Sequence, residues 1–129
     1  MKKILAILTL CVLLAGCAAK KPVVGSANQF DSDAYLTLVT ADTTIQATKA
    51  ALAIPAGQPG SFTASQAAVV KTALNGLIAV YNIADSDYQI YHAAALAGTA
   101  TAAQQSKVSS DLTAVQAAST TLMTAKGTP

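Results

Sequence analysis

The chain has 129 residues, of which 53% are hydrophobic and only 11% charged, with a formal net charge of +2 at pH 7. Every cation is a lysine and every anion an aspartate, so the arginine that reads phosphate and carboxylate bidentately is missing, and no nucleic-acid footprint is present. One histidine, two cysteines and no glutamate make a thin inventory for metal binding or acid–base catalysis.

The first element is a signal. Met1-Lys2-Lys3 is a short basic start, and Ile4 to Leu14 is apolar apart from Thr9. The run is shorter than the roughly 20 apolar residues that span a bilayer. It closes on Leu14-Ala15-Gly16-Cys17, which resembles the lipobox of bacterial lipoproteins. That resemblance implies cleavage between Gly16 and Cys17, and acylation of the Cys17 thiol and of the new amino group. Two or three acyl chains make a stable anchor where one holds only marginally. Cys11 would leave with residues 1–16 and Cys17 would be lipidated, so no thiol would remain to pair. Lys2 and Lys3 would leave as well, and the six remaining lysines would balance the six aspartates. Ala18 stands where inner-membrane-retained lipoproteins of the enterobacterial type carry Asp. The resemblance therefore implies an outer-membrane site facing the periplasm, in a host with two membranes.

Residues 17–28 read as the lipidated cysteine and a flexible tether, with Lys20-Lys21-Pro22 and Gly25-Ser26 and no helical period. The bundle domain follows at 29–129. Its first helix is expected over 31–53, capped by Asp31, with Phe30 and Tyr35 at the spacing of a hydrophobic staple. Leu38, Ala41, Ile45, Thr48 and Leu52 form a thin apolar stripe. Ile54-Pro55 stops the helix, because the residue before proline is pushed out of the α region.

The second helix is expected over 64–96. Thr63-Ala64-Ser65-Gln66 is a capping-box pattern. Val70, Ala73, Leu77, Val80, Ala84, Tyr88 and Tyr91 recur at helical spacing, and Leu74, Ile78 and Tyr81 widen the face. A face this broad suits the central helix of three. Gly98 is a natural stop. Thr101-Ala102-Ala103-Gln104 repeats the box and opens a third helix over 101–126, with Val108, Leu112, Val115, Ser119 and Leu122 as its stripe and Met123 beside it. Short connections make an all-α, antiparallel, up-down-up three-helix bundle the simplest packing. Its core is shallow, which favours self-association or a protein partner.

Asp85, Asp87, Tyr88, Tyr91 and His92 are the densest functional-looking cluster and the candidate interaction patch. Asp85, Tyr88 and His92 fall on one helix face. A single imidazole with carboxylates is a poor ligand set, so no metal site, no catalytic residue and no cofactor beyond lipid on Cys17 is expected. Tyrosine is enriched at contact surfaces, but the spacing of Tyr81, Tyr88 and Tyr91 favours rings that complete the core. If the Asp85–His92 face is solvated surface, Asp85→Asn, Asp87→Asn and His92→Gln leave the fold nearly intact.

The sequence thus points to a small, membrane-anchored helical lipoprotein of the cell envelope that binds, spaces or scaffolds and is not an enzyme. Two alternatives stand beside it. Outer-membrane spanin subunits of phage lysis resemble the chain as small lipidated exports, although they are often proline-rich. A small-ligand carrier would need a cavity between helices. Murein-type lipoproteins share lipobox and helicity, but form one unbroken rod where this chain breaks at Pro55, Pro59 and Gly98.

Overall fold

A computed structural model describes residues 25–127, which form a three-helix bundle without strands among the described residues. The expected signal, with its expected cleavage position at Gly16 and lipidation site at Cys17, lies outside the described residues. The helices are α1 (Gln29–Leu52), α2 (Ala64–Leu96) and α3 (Ala102–Gly127), and each packs on the other two.

Their order is up-down-up. Asn28, at the start of α1, meets Tyr91 near the end of α2. Asp87, also late in α2, meets Lys107 early in α3. Neighbouring helices therefore run antiparallel, and α1 and α3 run in the same direction.

The α2 boundaries match those expected from sequence. Thr63 Oγ1 accepts from the Gln66 N–H at 3.2 Å, and Gln66 Oε1 accepts from the Thr63 N–H at 3.1 Å, so the capping box is closed. Thr101 and Gln104 make the same exchange ahead of α3, at 3.2 and 2.8 Å. At the other end of α2, Gly98 takes φ +71°, the left-handed conformation that costs glycine least. This lets Thr99 N–H reach Ala94 O and Gly98 N–H reach Ala95 O, two carbonyls that the helix end would otherwise leave without partners.

The start of α1 differs from expectation. The cap is Asn28, whose Oδ1 accepts from the Asp31 N–H at 2.9 Å; Asp31 itself lies inside the first turn. The expected staple does not form either. Phe30 packs edge-on against Tyr91, with ring centroids 5.2 Å apart, while Tyr35 is exposed. The last residues of the expected tether thus belong to the bundle. Ala27 donates its N–H to Asp31, and Asn28 caps the helix.

Leu38, Ala41 and Ile45 of α1 meet Val70, Leu74, Leu77, Ala84, Tyr88 and Tyr91 of α2, and Val108, Leu112, Val115, Leu122 and Ala125 of α3. Ser119 is only half-buried and Met123 is exposed; Ala125 takes the place expected of them. Thr48 is fully buried, and its hydroxyl donates to Thr44 O at 2.8 Å. The same back-bond recurs at Thr37, Thr40, Thr43, Thr44, Thr72, Thr113, Thr120, Thr121 and Thr124. These hydroxyls are satisfied by their own helix, and the surface they help to form is polar in composition but low in charge. By length and composition α2 would also suffice to cross a membrane. In the bundle it supplies the largest share of the core and leaves Val69, Ile83, Ile90 and Leu96 exposed.

Candidate functional site

The five residues of the expected patch separate into three environments. Tyr91 is 2% exposed and belongs to the core, where its hydroxyl accepts from Asn28 Nδ2 at 3.2 Å. It is thus unavailable as a surface anchor. Asp87 faces α3 and pairs with Lys107. Asp85, Tyr88 and His92 share one face, as their three- and four-residue steps require, and that face looks towards α1.

Between the first half of α1 and the second half of α2 runs an open groove of about 410 Å³. Tyr35, Leu38, Val39 and Asp42 of α1 line one side. Tyr81, Asp85, Tyr88, Gln89 and His92 of α2 line the other, with Gly25 and Ser26 at one end. The size falls within the roughly 300–1,000 Å³ of small-molecule sites.

Beside the groove lies a pair that local sequence patterns could not reveal. Asp31 is fully buried, and its carboxylate oxygens lie 2.8 and 2.9 Å from Nδ1 of His92, which comes from 61 residues away. A carboxylate only accepts, so Nδ1 carries the hydrogen and donates. The Ala27 N–H adds a second donor at 2.7 Å. A buried carboxylate needs such partners, because an unpaired one is expelled from a low-dielectric interior. The His92 ring also stacks on Tyr88, with centroids 5.6 Å apart. His92 is therefore a structural partner of Asp31 and not a residue of a merely solvated face.

The electrostatics of the groove are those of an anionic site. Burial pushes the Tyr88 hydroxyl well above the ordinary phenol range, and the Asp31 and Asp85 carboxylates push it further. Tyr81 is raised by burial and then by Asp85 and Asp42, which face it from the two helices. The residues lining the groove include no lysine. Asp42 accepts one hydrogen bond, from Gln46 Nε2 at 3.1 Å, and neither Asp42 nor Asp85 has an ion-pair partner among the described residues.

A second charged cluster lies on the α2–α3 seam. Lys107 bonds Asp87 and sits 3.5 Å from Asp111. Its hydrogen bond holds the Asp87 carboxyl below the usual range. Burial and the neighbouring Asp87 raise Asp111. The arrangement is two carboxylates sharing one ammonium, and it joins α2 to α3. No group of three metal-ligating side chains occurs among the described residues. Comparison with protein-family models, curated proteins and solved structures finds no match to the chain.

Proposed function

We propose that this chain is a lipid-anchored helical protein of the bacterial cell envelope, held at a membrane through Cys17, which acts by binding and not by catalysis. The observation that carries the reading is the register of the N-terminus: a basic start, an apolar run too short to span, and Leu14-Ala15-Gly16-Cys17 closing it. The groove between α1 and α2 supports binding as the mode of action, since it joins apolar walls to a few convergent polar groups. Anchoring at residue 17 would leave only a short stretch between the membrane and Gly25. The groove end formed by Gly25 and Ser26 would then face the lipid surface.

The test is replacement of Cys17 by Ser in the full-length gene, followed by membrane fractionation and mass spectrometry of the mature N-terminus. The wild-type chain should begin at an acylated Cys17 and sediment with membranes, and the variant should be unprocessed at that position and unacylated. A wild-type chain with an unmodified N-terminus elsewhere would refute the anchor.

A further inference from the structure

We propose that the groove between α1 and α2 binds a small organic ammonium ion, seated between the carboxylates of Asp42 and Asp85 and against the rings of Tyr35, Tyr81 and Tyr88. The inference deepens the binding role proposed above and rests on it.

Three features of the groove converge on that chemistry. Its two half-buried carboxylates come from opposite walls, no lysine lines the groove to meet them, and the one imidazole there, His92, is turned to Asp31. Their combined field falls on Tyr81, whose hydroxyl both of them raise. Tyrosine rings attract cations at their faces, most strongly where water is partly excluded, and quaternary or alkylated ammonium groups are the usual beneficiaries. Leu38 and Val39 complete the walls. A bare metal ion gains nothing from such walls, and the required cluster of ligating groups is absent among the described residues. An ammonium carrying carbon satisfies both halves of the site, its charge against Asp42 and Asp85 and its methylenes against the apolar walls. Asp31 does not join in, because His92 and the Ala27 N–H already occupy its carboxylate.

The ligand class has two natural sources, a free amine and the ethanolamine or choline headgroup of a lipid. The shared chemistry is the same, and the experiment separates them. The full chain is held in maltoside micelles, which bring no ammonium group. Choline and spermidine form one arm, and dihexanoyl phosphatidylethanolamine the other. Intrinsic tyrosine fluorescence reports on the groove directly, because the chain has no tryptophan and three of its four tyrosines line the site. Calorimetry gives the affinity.

Saturable binding with a Kd of about 1 mM or tighter is expected in at least one arm. Asp42→Asn combined with Asp85→Asn should weaken it at least tenfold with the helical circular dichroism unchanged. Tyr81→Leu should weaken it more than Tyr81→Phe, which keeps the ring face. Binding by free amines alone identifies a soluble ligand, and binding by the headgroup alone identifies the membrane itself; either supports the site. No saturation in both arms, or equal competition by potassium chloride, overturns it. Loss of ammonium binding by a chain that still fractionates with membranes removes only this inference. A chain that binds ammonium but carries no lipid removes only the anchor.

Discussion

Replacing His92 by Ala tests how the first turn of α1 is held to the last turns of α2. The substitution removes the imidazole from a carboxylate that is 0% exposed, leaving Asp31 with the Ala27 N–H and the Tyr88 hydroxyl as donors. Removing one partner of a fully buried ion pair costs about 3–5 kcal/mol, and a hydrogen bond to a charged group contributes about 1.5–3 kcal/mol. The His92 side chain is 29% exposed, so water can enter where the ring stood, and the lower range applies. The loss of stacking on Tyr88 acts in the same direction. We therefore expect a destabilisation of about 1.5–3 kcal/mol, or about 6–20 °C in Tm for a domain of this size. Thermal and urea unfolding followed by circular dichroism at 222 nm would measure it. The companion variants are Asp31→Asn and the double mutant. The pair should couple by about 1–2 kcal/mol, because each single change already breaks the contact the other depends on. An unchanged Tm in His92→Ala, or effects that add to within about 0.5 kcal/mol in the cycle, would show that the contact does not hold α1 to α2.

Two further outcomes are expected. Leu77 is fully buried at the centre of α2, so Leu77→Ala should cost about 2–5 kcal/mol in urea unfolding, and a variant as stable as the parent would disprove its place in the core. On the α2–α3 seam the two carboxyls respond to pH with opposite sign. The lowered Asp87 contributes stability that is present above its ordinary value and lost as pH falls through its folded value. The raised Asp111 favours the folded state while protonated, and that contribution is lost as pH rises through its folded value. Asp111→Asn should therefore gain on the parent as pH rises from below the ordinary carboxyl value towards neutrality. A stability difference that stays flat across that range, or declines, would contradict the assignment.

How far the sequence could be read depended on how local each interaction was. The capping boxes at Thr63–Gln66 and Thr101–Gln104 each lie within one turn, and the residues state them outright. The apolar face of α2 was legible for the same reason, since its period is a property of one helix. The start of α1 was not. Asn28 and Asp31 are both good caps, and the choice between them is made by His92, which withdraws the Asp31 carboxylate into a contact with the far end of α2. Nothing within ten residues of Asp31 announces that partner. The candidate patch failed as a unit for a related reason. Helical spacing grouped Asp85, Tyr88 and His92 correctly, but the neighbours of α2 decided the rest, with Tyr91 drawn into the core by Phe30 and Asp87 drawn to α3 by Lys107. The groove needed α1 and α2 together. One available signal was the position of Asp42 just off the apolar stripe of α1, which placed a carboxylate at the edge of a helix seam.

The odd number of helices among the described residues has a mechanical consequence. With an up-down-up path, Gly25 and Gly127 emerge at opposite poles, separated by roughly the length of α1 or α3, about 36–39 Å at 1.5 Å per residue. A load applied between those poles runs parallel to the helix axes. The seams then resist it in shear, with Leu38, Leu77 and Val115 strained together rather than peeled apart turn by turn. The clamp made by Asn28, Asp31, His92 and Tyr91 sits where such a pull would enter, and ties the first turn of α1 to α2 before the load reaches the apolar seam. The bundle is in that sense a strut, stiff along the line from Gly25 to Gly127.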